Sequence, residues 1–169
     1  MDTIELIGKK RKSLFPQTYQ MTGVYKGNER FLVGIDPGVN FGITIANEEL
    51  VTLIWGRLPK EKEPGLYGVH AYDYTEEILY PFYKEGLGEV AVVEGAAYNK
   101  YHGQVNLEEV RFGFYLSLRH MGFNVKIMPP AHVRKLATGS GRSEAWIEYP
   151  TLNHNAADSI YCAIAARSL

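Results

Sequence analysis

The chain has 169 residues, a formal net charge of −1 and 46% hydrophobic residues. This size and composition fit one globular domain with at most an appended arm, and they exclude a disordered, collagen-like or coiled-coil chain. The single cysteine, Cys162, excludes a disulfide framework and a cysteine-rich zinc site. No apolar run reaches the roughly 20 residues of a membrane helix, and the first residues lack the apolar core of a secretory signal. We therefore expect a soluble cytoplasmic protein without a membrane partner.

The near-zero net charge conceals an uneven distribution along the chain. Residues 43–94 carry four Lys/Arg against ten Asp/Glu, whereas residues 95–142 carry seven against two. A basic segment of this kind can present a positive face to a polyanion even in a protein of neutral pI. Ordinary solvated surface explains the same charges equally well.

The first 30 residues are predicted to be an N-terminal extension, because they show no clear hydrophobic period. They contain a basic cluster, Lys9–Lys12, and a turn pair, Gly27–Asn28, that favours a hairpin. A contact with a phosphate backbone and a solvated arm are both compatible with the basic cluster.

Residues 31–169 form the predicted domain. Three apolar runs, at 31–35, 41–46 and 50–58, lie so close together that they can only form an antiparallel meander. The pattern then predicts a helix, a strand, a helix, a strand and two helices, in the order 66–85, 89–93, 106–121, 124–128, 132–137 and 155–168. This order indicates an α/β fold with a mixed sheet and helices packed against it, whereas residues 145–153 show no helical pattern.

Three carboxylates from distant parts of the sequence are candidates for one site. Asp36 stands where the first apolar run stops, and Glu94 stands at the corresponding end of the fourth. If these two strands are parallel neighbours, both side chains emerge at the same edge of the sheet, where ligand sites form in such folds. Asp158 lies in the first turn of the alanine-rich terminal helix, whose small residues allow a close approach to the sheet.

A cluster of carboxylates repels itself and needs a cation, and oxygen ligands select Mg²⁺ or Mn²⁺. Such ions can clamp a phosphodiester and activate a water molecule. Each acid also has an ordinary explanation: Asp36 as a turn former before Pro-Gly, Glu94 as a loop residue, and Asp158 as a partner of the helix dipole.

Four motifs in order resemble those of the RuvC-type Holliday junction resolvases. The segments Gly34–Gly38 and Val92–Glu94 resemble the first and second motifs, and Asn155–Ser159 resembles the C-terminal one. Val133–Lys135, followed by Thr138–Gly141, resembles the basic helix and glycine loop between them. On these residues the chain is similar to a divergent, phage-like branch of the family.

This resemblance implies an RNase H-like fold with a five-stranded mixed sheet of order 3-2-1-4-5, its first three strands antiparallel. It implies a homodimer that uses Mg²⁺, or Mn²⁺ in its place, to nick four-way DNA junctions symmetrically in recombination, repair or phage DNA processing. Asp36, Glu94 and Asp158 would be the metal ligands, with Asp36 bridging two ions. Helix 106–121 would lie near the dimer interface.

Two positions depart from the family pattern. The first of the two acidic positions in the last motif is Asn155 here, preceded by His154. Asn155 can bind a metal through its carbonyl oxygen, whereas His154 has three interpretations: a ligand, a group that orients the attacking water, or a plain surface histidine. The lysine that follows the family's glycine loop falls near Ala145, and Arg142 is the nearest cation.

The resemblance also indicates where DNA would bind. The family places an aromatic side chain shortly after the catalytic glutamate, and Tyr98 and Tyr101 are available there, with ordinary packing as the alternative. The DNA-contact candidates are Tyr98, Lys100, Arg134, Lys135, Ser140 and Arg142. For Arg111 and Arg119 we expect solvated surface.

Other functions compete with junction resolution. One is an RNase H-like nuclease that acts on flaps, RNA–DNA hybrids or other branched substrates, and another is a junction-binding protein without catalysis. An ATP-binding module of the sugar-kinase type shares the Gly-Ile-Asp-x-Gly start, but it needs two such domains and this length excludes it.

Overall fold

The computed structural model describes residues 19–22, 30–47, 51–80, 88–95 and 105–169. The strands in these ranges are β1 Tyr19–Thr22, β2 Phe31–Asp36, β3 Asn40–Ala46, β4 Val51–Arg57, β5 Gly88–Glu94 and β6 Asn124–Met128. The helices are α1 Leu66–Leu79, α2 Val105–His120, α3 Pro130–Thr138, α4 Ala145–Glu148 and α5 His154–Arg167. None of the described helices combines the length and the hydrophobicity that crossing a bilayer requires.

All six strands belong to one sheet, in the order β1-β4-β3-β2-β5-β6. The pairs β2–β3 and β3–β4 are antiparallel, whereas β2–β5 and β5–β6 are parallel. Strands β2 to β6 therefore have the predicted order 3-2-1-4-5, and the RNase H-like architecture expected from the sequence is confirmed.

Strand β1 is an addition that the sequence pattern does not predict. It lies within the predicted N-terminal extension and pairs antiparallel with β4, with Tyr19 opposite Gly56. This part of the extension thus lengthens the sheet at its edge. The cluster Lys9–Lys12 and the turn pair Gly27–Asn28 lie outside the described residues.

The alternation of side chains along β2 and β5 divides the core into two layers. Val33, Ile35 and Val93 pack with α1 and α2 on one face, in a cluster completed by residues such as Phe114. Val92 packs on the other face, with α3, α4 and α5. The sheet is therefore covered by helices on both sides.

Helix α5 lies unusually close to the sheet because two glycines leave room for it. A Cβ atom at Gly34 would collide with the main chain at Ala163, and one at Gly42 would collide with the carbonyl oxygen of Asn155. The predicted close approach of the alanine-rich helix is thus confirmed, with glycines on the strands as its counterpart. The first turn of α5 lies directly over the start of β3, beside the end of β2.

Two local expectations are wrong. Helix α5 begins at His154 with Asn153 as its N-cap, so Asp158 lies in the second turn and not the first. The helix-dipole explanation of Asp158 loses its basis, because that effect falls off beyond the first turn. Residues 145–153 contain the single-turn helix α4, which is too short to show a hydrophobic period but is anchored by the buried Ala145.

Candidate metal centre

Asp36 and Glu94 emerge side by side at one edge of the sheet. The parallel pair β2–β5 places Ile35 opposite Val93, so the two acids follow directly on neighbouring strands, about 4.8 Å apart in strand spacing. By alternation Asp36 shares its face with Gly34, and Glu94 shares its face with Val92. Both carboxylates therefore face α5, and the parallel pairing on which the sequence argument depended is confirmed.

Asp158 approaches this edge from α5. Burial raises the pKa of Asp36 well above its ordinary value, and the charges of Glu94 and Asp158 raise it further. Burial and the Asp158 charge raise the pKa of Glu94 to about 7. Burial also raises the pKa of Asp158. The structure thus brings these three half-buried carboxylates close enough for their negative charges to oppose one another.

A divalent cation fits the chemistry of this cluster. Buried, mutually repelling carboxylate oxygens are the donors that Mg²⁺ and Mn²⁺ prefer, and a bound cation removes the cost of ionising them. In the part of the chain that the structure describes, no three His, Cys, Asp or Glu side chains already lie around one point as a complete ligand set. A cation would therefore have to draw the oxygens of Asp36, Glu94 and Asp158 together.

Arg111 is the cation behind the cluster, and the expectation that it is solvated is wrong. Its side chain is buried, with the residue 5% exposed, and its Nε donates a hydrogen bond of 2.9 Å to the main-chain oxygen of Glu94. A second bond pairs its guanidinium with Glu108. Its charge offsets part of the pKa rise that burial causes at Asp36 and Glu94. The sequence holds a signal for this position, since Arg111 lies three and seven residues before the buried Phe114 and Leu118 on the inward stripe of α2.

Arg134 is the second cation of the cluster. It is half-buried and forms an ion pair of 3.1 Å with Glu144. Burial is the main cause of the raised pKa of both Glu94 and Asp158. The Arg134 charge partly offsets these two increases, whereas the Glu144 charge adds to them. Glu144 is a further carboxylate of this neighbourhood that sequence reasoning misses, because nothing in its local pattern places it there.

The other predicted DNA contacts divide into exposed residues and residues outside the described ranges. Lys135, Ser140 and Arg142 are exposed on α3 and the loop that follows. The Ser140 hydroxyl accepts a hydrogen bond of 3.3 Å from the Arg142 main-chain N–H, which orders this loop. Tyr98 and Lys100 lie outside the described residues, as does Tyr101.

His154 and Asn155 occupy the start of α5. His154 is exposed, and its ring stacks on Trp146 with the centroids 5.7 Å apart and the planes within 5°. Its charge partly offsets the burial that raises the pKa of Asp158, so the imidazole borders the cluster. The Asn155 main-chain N–H donates 3.0 Å to the side-chain oxygen of Asn153, and its carbonyl packs over Gly42. Trp146 is a neighbour of the site that sequence reasoning misses.

Comparisons of the whole chain identify similar structures but no sequence relatives. Searches with family models and against curated proteins found no match. A Thermus thermophilus RuvC structure is similar with a TM-score of 0.57 at 18% identity, over 80% of this chain and 92% of that one. A T. thermophilus RuvC in complex with Holliday junction substrate is similar with a TM-score of 0.62 at 14% identity, over 81% and 92%. The chain therefore has a RuvC-like fold of the RNase H-like class.

Proposed function

We propose that this protein is a divalent-metal-dependent nuclease that nicks four-way DNA junctions. The observation that carries the proposal is the carboxylate cluster: Asp36 and Glu94 end neighbouring parallel strands, the Asp158 charge acts on both, and the pKa values of all three are raised. Ionising such a cluster costs stability that a bound cation would offset, and carboxylates with pKa values perturbed in this way are concentrated at functional sites. The RuvC-like fold, including its likeness to a junction complex, supports branched DNA as the substrate.

In this proposal Asp36, Glu94 and Asp158 would hold Mg²⁺, or Mn²⁺ in its place. When bound, the metal supplies a nucleophilic water and neutralises charge on the phosphate. Arg111 holds the main chain of Glu94 in place from behind. His154 and Asn155 begin α5, the helix that carries Asp158, so in this proposal His154 would orient a water molecule and Asn155 would add a carbonyl ligand.

Positive side chains next to the cluster would position the DNA backbone. Lys135 and Arg142 are exposed on α3 and its following loop, with the Ser140 hydroxyl between them. Arg134 is held by Glu144 and borders the carboxylates directly. Tyr98 and Lys100, which lie outside the described residues, are kept as DNA contacts in this proposal on the strength of their sequence positions.

The apolar surface of α1 and α2 supports a homodimer. A groove of about 350 Å³ runs between these helices and is lined by Val69, Phe112 and Leu116, among others. Phe112 is 58% exposed, and Val69 and Leu116 are also exposed. Exposed apolar patches of this kind typically mark protein interfaces. A second copy of the chain on this face would allow paired cuts in a two-fold symmetric junction.

The central experiment compares Asp36→Asn with the wild type on a synthetic four-way junction in Mg²⁺. We expect the variant to bind the junction but to lose cleavage, because the site loses a charged ligand. Asp73→Asn is the matched control, since Asp73 is a half-buried carboxylate on α1, across the sheet. Normal cleavage by Asp36→Asn, or products that are not paired nicks, would contradict the proposal.

Substrate breadth is measured in the same assay. Equal cleavage of three-way junctions, flaps or RNA–DNA hybrids would indicate a branched-substrate nuclease of broader specificity. Metal-independent binding without any nicking would indicate a junction-binding protein instead.

A further inference from the structure

Trp146 is a large exposed side chain on the rim of the carboxylate cluster. It is 44% exposed and stacks in parallel on His154, which begins the helix that carries Asp158. Two residues before it, Glu144 pairs with Arg134, whose charge acts on Glu94 and Asp158. The indole therefore contacts one residue that acts on the cluster and lies two positions along the chain from another.

The packing of α4 does not need the indole. Ala145 is fully buried under the helix, and the Tyr161 hydroxyl donates a hydrogen bond of 2.7 Å to Glu148. Tyr149 adds an edge-to-face contact with Tyr161. Trp146 and its neighbour Ile147, which is 62% exposed, lie on the outward side of this helix. A tryptophan that is left out of the core and oriented by a ring stack is available for a ligand.

We propose that Trp146 is a stacking platform for a nucleobase of the DNA substrate, next to the phosphate at the carboxylate cluster. This inference rests on the proposed nuclease function and adds a binding position to it. Exposed cations, Lys135 and Arg142, lie on the helix and loop that precede Trp146 in the chain, so a polyanion is a ligand whose charge fits the segment that leads to it. An indole accepts any unpaired base by stacking, and loss of such a contact lowers affinity about 5- to 150-fold.

Fluorescence tests the contact directly. The chain has two tryptophans, and Trp55→Phe leaves Trp146 as the only one. Without divalent metal, we expect a four-way junction and a short single-stranded oligonucleotide to quench this fluorescence, and an intact duplex to quench it less. Fluorescence unchanged by the junction at saturating binding would overturn the inference.

Affinity measurements separate stacking from a structural role. Trp146→Ala should weaken metal-free junction binding about 5- to 150-fold, and Trp146→Phe should restore most of it. The control Ile147→Ala removes a neighbouring exposed apolar side chain and should leave affinity unchanged. Because stacking releases no counterions, Trp146→Ala should keep the salt dependence of the wild type, whereas Arg142→Gln should reduce the slope by about 0.9.

A complementary change in the DNA completes the test. Abasic nucleotides placed one at a time beside the nicked phosphate should locate a position where wild-type affinity falls and Trp146→Ala causes no further loss. If the losses of binding free energy from the abasic nucleotide and from Trp146→Ala add in full at every position, the proposed stacking on Trp146 is refuted. If the protein nicks the junction in an Asp36-dependent way but the fluorescence and abasic-DNA tests fail, only the stacking proposal for Trp146 is wrong. If those two tests succeed but the protein does not nick the junction, only the nuclease proposal is wrong.

Discussion

The most direct consequence of the carboxylate cluster is that the metal-free protein is destabilised by its own proposed site. Glu94 has a pKa of about 7 in the folded protein, against an ordinary value of 4.5. Between pH 4.5 and about pH 7 the Glu94 carboxyl keeps its proton in the folded state but has lost it in the unfolded state. Stability in the absence of metal should therefore fall as the pH rises from 4.5 to 7, and it should stay low above that.

The size of the effect follows from the pKa difference. A shift from 4.5 to about 7 corresponds to a loss on the order of 3 kcal/mol at pH 8. Glu94→Gln keeps the shape of the protonated acid but cannot ionise, so it should recover most of this loss. For a protein of this length that is a rise in Tm of roughly 6–12 °C at pH 8. Near pH 4 the variant and the wild type should melt together.

Thermal melts at pH 4 and pH 8, with EDTA and with Mg²⁺, measure the prediction. Mg²⁺ should raise the Tm of the wild type at pH 8 by mass action and should raise that of Glu94→Gln much less. Glu89→Gln is the control, because Glu89 is an exposed glutamate near the other end of the same strand, paired with Arg30 at 2.9 Å. A Glu94→Gln variant that is less stable than the wild type at pH 8 in EDTA would refute the reasoning, since Glu94 would then be ionised at no cost.

Three further variants test the surroundings of the site. Gly42→Ala should push α5 away from β3 and lower stability by about 1–3 kcal/mol or more, with weaker Mg²⁺ binding, as melts and metal titration would show. Arg111→Met removes a positive charge and should move the acid limb of the cleavage pH profile upward, because Glu94 then holds its proton more tightly; an unchanged profile would contradict this. Phe112→Asp should convert the proposed dimer into a monomer in analytical ultracentrifugation, whereas a mass equal to that of the wild type would contradict the proposed interface on this face.

Much of the fold is encoded in local patterns. The short apolar runs of β2 to β6 end at turn residues, and their spacing allows little besides a meander followed by parallel strands. The two acids at strand ends were predictable for the same reason, because a strand that stops at Asp36 or Glu94 places that side chain at the sheet edge. The alanines of α5 indicated the close packing that brings Asp158 to them.

Other parts of the site depend on contacts between residues far apart in the chain. The inward position of Arg111 pairs it with the main chain of Glu94, 17 residues away. The pair of Arg134 with Glu144 and the stack of Trp146 on His154 join separate elements across a loop and a single-turn helix. None of these contacts follows from a hydrophobic period or belongs to a sequence motif, so the sequence pattern does not reveal which residues form them.

The sequence by itself determined the order of strands and helices from β2 to β6 along the chain and the candidate acids, because alternation, helical period and turn residues are local properties of the chain. Only the tertiary structure decided the electrostatics. The pKa of about 7 at Glu94 arises from burial beneath α5 and from the Asp158 charge that this helix carries. Desolvation and through-space repulsion depend on which groups meet in the folded protein, and that information exists only after the helix has docked on the sheet.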